Sequence, residues 1–450
     1  MTAKPLGGLG IVRLGLVQSA LGAIVALTTS TLNRVMVVEY AMPAILPAGL
    51  IAWHYAVQLS RPRWGYGSDM GRRRSPWIIG GMGVLALGAI LAADAIPLMA
   101  GSPLLGALGA LIAYSMIGAG VGAAGTSLLA LLATRVAPER RPAAASITWI
   151  MMIVGFILCA AVSGVLLQPF STQRLALLAS GVSGIAFLVT WLAVRNAEDT
   201  AERAVQEASE AGAKPSFREV MAEVWEDPLA RRFTIFVFVS MLAYSAQELI
   251  LEPYAGLVFH MSPAQSAQLT GFEKGGALIG MVMVGALGAR FADKRSLWMR
   301  RWTVAGCAGS AVALFGLGAA SLVGPDWPLP PTVFLLGLAN GVFAVSAIGS
   351  MMGLAGAGRN ARAGARMGLW GAAQAGAFAI GGFLGATGVQ ALRGLLHQSA
   401  PAFIAVFAIE AVVFLVSACL AMRLDSAPAR TAPMPTRLTS VSTDFGGARR

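Results

Sequence analysis

Thr31-Leu-Asn-Arg-Val-Met-Val-Val-Glu39, with Pro43 close behind, sets an asparagine, an arginine and a glutamate at the far end of an apolar run that begins near Ile11. An ionised side chain in hydrocarbon costs about 2.5–3.5 kcal/mol even on lenient insertion scales, so such residues face a protein interior or a watery cavity. Asn33, Arg34 and Glu39 therefore mark a membrane span that forms one wall of a larger assembly of helices. Gln247-Glu-Leu-Ile-Leu-Glu-Pro-Tyr254 repeats the pattern in the second half of the chain, with Glu248 and Glu252 as its charges. The rest of the chain reads as scaffolding that brings these two stretches face to face.

Composition agrees. Of 450 residues 56% are hydrophobic and 12% charged, too little polar surface to cover a soluble globule. The apolar segments are about twenty residues long and lack the alternation of a barrel, so the spans are helices. Twelve are expected, from 14–40 to 399–423, giving an all-α membrane protein of two pseudo-symmetric six-helix bundles. The formal net charge of +12 could suit nucleic acid, but the basic residues fall in short loops between spans, where the bilayer explains them better and no nucleic-acid partner is needed. With the N-terminus cytoplasmic, 29 of the 33 Lys and Arg collect on that side, so both termini are expected there, in an inner membrane. The first span is too long for a signal-peptide core and is expected to remain. Cys159, Cys307 and Cys419 sit inside apolar runs and read as reduced packing residues.

The expected organisation is a bundle over 1–194, a polar linker over 195–232, a second bundle over 233–423 and a disordered tail over 424–450. Within the linker Ser216-Phe-Arg-Glu219 has the pattern of a capping box, and Phe217, Val220, Met221, Val224 and Trp225 follow at helical spacing. That segment reads either as an amphipathic helix on the inner membrane face or as an ordinary linker helix. The halves echo each other: Trp77 and Trp298 share with Trp149 and Trp370 a single offset of 221 residues, which argues for a duplicated unit. Glycines at close spacing, Gly118 with Gly122, Gly337 with Gly341 and the group Gly381, Gly382 and Gly385, predict close helix packing.

Gly65-Tyr-Gly-Ser-Asp69-Met-Gly-Arg-Arg-Arg74, in the turn after the second span, resembles the signature loop of the major facilitator superfamily, one residue shorter between the aspartate and the basic run. The resemblance implies a cytoplasmic latch built on Gly65, Asp69, Arg72 and Arg73, with Asp293 in the equivalent turn of the second half. Read without it, the same residues are positive-inside arginines and a helix-capping aspartate. Leu32 to Glu39, Arg61 to Arg74 and Gln247 to Pro253 together are similar to the PucC type, or bacteriochlorophyll delivery family, of that superfamily. The resemblance covers essentially the whole membrane region. It implies a protein that handles or delivers (bacterio)chlorophyll during assembly of photosynthetic complexes, with light-harvesting or reaction-centre subunits or pigment-synthesis enzymes as partners.

The charges can also be read on their own. Arg34 and Glu39 are five apart, about 140° around an α-helix, and cannot pair well. Glu248 and Glu252 are four apart, on one face, where two carboxylates repel. A pair between Arg34 and Glu248 across the cavity relieves both, either as an outer gate or as a static buried ion pair. His54, between Trp53 and Tyr55, is a candidate ligand for the magnesium of a tetrapyrrole, or else a cavity-lining histidine. No nucleotide loop, metal-ligand spacing or nucleophile triad occurs, so neither a catalytic residue nor a metal site is expected and the chain is not read as an enzyme. The competing function is a proton-coupled transporter of a small amphipathic molecule, with Glu248 or Glu252 carrying the proton.

Overall fold

The computed structural model describes residues 6–43, 45–71, 73–198, 215–261, 263–290, 295–355 and 362–424. Twelve long helices cross the molecule among these residues. Ten are long and apolar enough to span a membrane: Gly8–Glu39, Ser75–Gly101, Pro103–Arg135, Pro138–Leu166, Thr172–Val194, Pro228–Phe259, Leu297–Asp326, Leu329–Ala355, Ala363–Leu396 and Ser399–Met422. The other two are Ile45–Gln58, which continues after a turn into the polar helix Arg61–Met70, and Pro263–Arg290. Numbered in chain order they are spans 1 to 12, with Ile45–Gln58 as span 2 and Pro263–Arg290 as span 8. At 1.5 Å per residue the 14 residues of span 2 rise only about 21 Å, short of a ~30 Å hydrocarbon core, and the polar helix Arg61–Met70 carries the chain on to the arginine-rich end. The chain is a multi-pass membrane protein.

The expected internal repeat is visible in the packing. In the first half span 1 lies on spans 5 and 6, span 3 on spans 4 and 6, and span 2 on span 4; the second half repeats this as 7 on 11 and 12, 9 on 10 and 12, and 8 on 10. The halves meet through span 11 against span 2 and its continuation, and through span 5 against spans 8 and 10. Glycine makes the tightest crossings possible. A Cβ on Gly337 or Gly341 of span 10 would overlap the backbone carbonyls of Glu273 and Ala277 in span 8, so any larger residue would push these helices apart. Cys159 and Cys307 are buried and free, as expected, whereas Cys419 is free on an exposed face.

Two features go beyond the sequence reading. Span 1 is not a continuous α-helix: π-helical turns at Leu27–Thr31 and Val35–Glu39 flank Leu32–Arg34. The hydroxyl of Tyr114 in span 4 donates to the carbonyl of Thr28, in the first π turn, at 2.9 Å. The i→i+5 winding carries residues five apart back toward one face, so the 140° separation of Arg34 and Glu39 does not hold.

The second is the linker helix, Phe217–Glu226. It has the expected reciprocal capping box between Ser216 and Glu219, and it packs Val220 and Val224 on the protein, which favours the linker-helix reading of the two. Val220 and Val224 are fully buried against the protein, and the Phe217 ring meets Tyr66 edge-on at 5.6 Å. Phe217 and Met221 are half-buried, and Trp225, 46% exposed, faces the surroundings. The helix ends at Asp227, whose carboxylate at once caps span 7 by accepting from the N–H groups of Leu229 and Ala230.

Candidate functional site

The arginine-rich end is closed by a set of contacts between the halves. Gly65 and Gly364 approach backbone to backbone, so a Cβ on either would collide with the other's carbonyl oxygen. That approach brings the Asp69 carboxylate to the N-terminus of span 11, where it accepts from the backbone N–H of Gly364 and of Ala365, each at 2.8 Å. These are orphan donors of a helix start, carrying the positive end of its dipole, and a carboxylate is their best partner. Arg74 completes the arrangement at 2.9 Å from Asp69, whose side chain is only 3% exposed.

Asp69 thus bridges the two halves at the place where the expected latch would sit, and the arginine it meets is Arg74 and not Arg73. With one residue fewer between the aspartate and the basic run, the turn swings the third arginine back onto the carboxylate while the exposed Arg73 side chain makes no ion pair among the described residues. Arg72 and Asp293 lie outside the described residues.

The linker helix fastens the same end from outside. Tyr66 donates its hydroxyl to the Pro215 carbonyl at 2.8 Å on the side of the first half. Arg362 pairs with Glu223 at 3.2 Å and Arg366 with Asp227 at 2.6 Å on the side of the second. Sequence reading found the helix but not these partners, because nothing local to Glu223 or Asp227 points to arginines 139 residues away.

Further from that end, Arg61 and His54 are joined through Gln58. An Arg61 guanidinium nitrogen donates to Gln58 Oε1, and Gln58 Nε2 lies 2.8 Å from His54 Nε2. His54 is 2% exposed, and its Nδ1 is buried without a hydrogen-bond partner among the described residues. The ring rests beside Tyr55 at 4.6 Å. Tyr55, Phe378 and Tyr244 form an aromatic bridge from span 2 through span 11 to span 7, with ring centroids 5.8 and 5.9 Å apart.

At the opposite end the two charged stretches turn to their own halves. Tyr40 meets Phe170 at 6.0 Å and Thr172 at 3.1 Å. Tyr254 packs on Phe403 and Phe407 and donates to the Leu317 carbonyl at 2.6 Å. Arg34, Glu39 and Glu252 are exposed and Asn33 is half-buried; Glu252 accepts from the Thr270 hydroxyl at 3.3 Å. Arg34 and Glu39 make no ion pair among the described side chains. The side chain of Glu248 lies outside the described residues, so the Arg34–Glu248 pair does too. The two halves are therefore in contact at the arginine-rich end, with charged groups exposed at the other.

Two buried carboxylates escaped the sequence reading: Glu273 in span 8, 3.3 Å from Lys274, and Glu410 in span 12. Each is a single acid in an apolar run, and only the packing reveals which face it occupies.

Twelve helices in two repeats, closed at one end by an aspartate on a helix N-terminus, define the major facilitator fold. Solved structures bear this out: a bacterial homologue of the iron transporter ferroportin in its outward-facing state aligns with a TM-score of 0.71 at 15% identity, covering 92% of this chain and 99% of that one. The transporter FucP in the outward conformation aligns at 0.66 and 16% identity, covering 92% and 99%. Within that fold the chain belongs to the PUCC protein family, whose model matches residues 31–428. It is 48% identical over 421 residues to the bacteriochlorophyll synthase 44.5 kDa chain of Rhodobacter capsulatus, covering 92% of this chain and 95% of that one. Protein PucC of Rhodobacter capsulatus is 28% identical over 435 residues, covering 92% of each.

Proposed function

We propose that this protein is a membrane assembly factor that handles or delivers a (bacterio)chlorophyll-type pigment to photosynthetic complexes. The observation that carries the reading is the 48% identity, nearly end to end, with a chain named for bacteriochlorophyll synthase. The protein holds and hands on pigment without catalysing a step of its synthesis; its family and fold favour that role over an enzyme's. Its partners are light-harvesting or reaction-centre subunits or pigment-synthesis enzymes in the same bilayer. It sits in the inner membrane with both termini cytoplasmic, because 29 of its 33 Lys and Arg then fall on that side. The contacts of Asp69 and Arg74 then close the cytoplasmic face, and the exposed Arg34, Glu39 and Glu252 lie on the outer side.

A flat macrocycle needs apolar walls and few fixed polar groups. The Tyr55, Phe378 and Tyr244 rings offer such walls just beyond the closed end, with His54 behind them as the candidate magnesium ligand. His54 takes that role only if its side chain turns from Gln58 or its Nδ1 becomes reachable. Asn33, Arg34, Glu39, Glu248 and Glu252 form the gate at the outer end, with Arg34 pairing to Glu248 when that end closes.

An in-frame deletion in a pigmented host tests the function. Near-infrared absorbance of assembled antenna or reaction-centre complexes should fall while respiratory growth is unchanged, and full complementation should require the intact chain. Normal complexes in the deletion strain would refute it.

A further inference from the structure

Where span 3 begins and span 6 ends, at the arginine-rich end, the surface holds a recess of about 350 Å³, within the ~300–1,000 Å³ of small-ligand pockets. Arg73 and Arg195 line it, over a floor that includes Pro76, Ile79 and Val194. Both arginines are exposed, and neither has a carboxylate partner among the described residues. Arg195 lies over the ring of Trp191, 5.2 Å from its centroid. A third cation stands beside them: Arg13 donates to the carbonyls of Ala193 and Arg195 at the end of span 6 and has no carboxylate partner among the described residues.

Among the described residues that line the recess the one carboxylate, Glu198, is already committed. One of its oxygens accepts from the Arg74 N–H at 2.9 Å, and the other from the Ser75 N–H at 3.0 Å and hydroxyl at 2.7 Å. Glu198 therefore serves the N-terminus of span 3 and not the guanidinium groups. What remains is a cationic rim over an apolar floor, next to the exposed apolar strip of Leu188, Trp191 and Leu192 on span 6.

That combination is chemically specific. A bare anion would be served by the rim but not by the floor, and a zwitterionic headgroup would add a fourth cation to the three arginines. We propose that the recess binds the headgroup of an anionic glycerophospholipid, its phosphate between Arg73 and Arg195 and its glycerol backbone over Pro76 and Ile79. The site lies in the same leaflet as the latch, and Arg74, the neighbour of Arg73, is the residue that holds Asp69. A lipid seated there is thereby linked to the closed state of the arginine-rich end.

The test is native mass spectrometry of the full-length protein in detergent, titrated with palmitoyl-oleoyl-phosphatidylglycerol and, separately, with the phosphatidylcholine of the same chains. The wild type should retain phosphatidylglycerol preferentially. Arg73→Ala/Arg195→Ala should weaken its retention roughly tenfold or more, and each single variant severalfold, because each cation near a membrane surface contributes appreciably to anionic lipid binding. Arg73→Lys/Arg195→Lys, which keeps both charges, should retain most of the preference and shows that the site tolerates substitution. Equal retention of the two lipids, or unchanged phosphatidylglycerol binding in the alanine variants, would overturn the proposal. Displacement of the lipid by an equal concentration of glycerol 3-phosphate would also overturn it, by assigning the recess to a free phosphate ester.

Discussion

Removing the Asp69 carboxylate should open the arginine-rich end. Asp69→Ala strands two backbone donors at the start of span 11 and leaves Arg74, whose side chain is 16% exposed, without its ion-pair partner. Loss of a capping side chain costs about 0.5–2 kcal/mol. Hydrogen bonds to charged groups contribute roughly 1.5–3 kcal/mol. Water reaching the broken interface recovers part of this, so about 2–3 kcal/mol of bias toward the closed state is lost, a factor of roughly 30 to 150 in the equilibrium. Asp69→Asn keeps an acceptor oxygen and should lose less. The readout is the labelling rate of a cysteine at Ser68, a buried position beside the latch, by a membrane-impermeant maleimide in a variant lacking Cys159, Cys307 and Cys419. The rate should rise at least tenfold on adding Asp69→Ala and severalfold on adding Asp69→Asn. An unchanged rate in both would show that Asp69 does not hold the halves together.

Three further outcomes follow from the same geometry. Gly364→Val should prevent closure by steric overlap with the Gly65 carbonyl oxygen and with Asp69, giving fast labelling at Ser68Cys even with Asp69 intact; slow labelling would mean that the crossing is looser than described. Val224→Asp should detach the linker helix, costing about 2–4 kcal/mol by burying an unpaired carboxylate, and should expose the Arg362–Glu223 pair to cleavage-site insertion and proteolysis at 215–226; protection equal to wild type would contradict the docked position. A double-mutant cycle of Arg34→Ala and Glu248→Ala, scored by antenna accumulation, should show a double variant less harmful than the sum if the two pair when the outer end closes; strict additivity would remove the gate.

The amount legible in the sequence follows from how local each signal is. Span number, repeat and tight glycine crossings were readable because hydrocarbon thickness and backbone approach act on contiguous residues, as at Gly337 and Gly341. The capping box at Ser216 and Glu219 was equally local. The destination of that helix was not: the pattern of Val220 and Val224 states that one face must be buried, and says nothing of whether lipid or protein covers it. Asp69 could be singled out from its motif, yet the choice of Arg74 over Arg73 depends on the path of a shortened turn. The π turns of span 1 left no mark in composition, and an α-helical wheel therefore misplaced Glu39 relative to Arg34. Arg195 and Arg73 are 122 residues apart, and only the packing of span 3 on span 6 puts them on one recess.

Whether the chain carries pigment is tested most directly by the absorption spectrum of the protein purified in mild detergent from a pigmented host. A long-wavelength tetrapyrrole band at a reproducible ratio to protein is the predicted result, and His54→Phe should weaken or shift the band without lowering the protein level. A colourless protein that instead drives pH-dependent uptake of a small amphipathic solute into liposomes, with uptake abolished in Glu248→Gln, would contradict the account and make the chain a transporter.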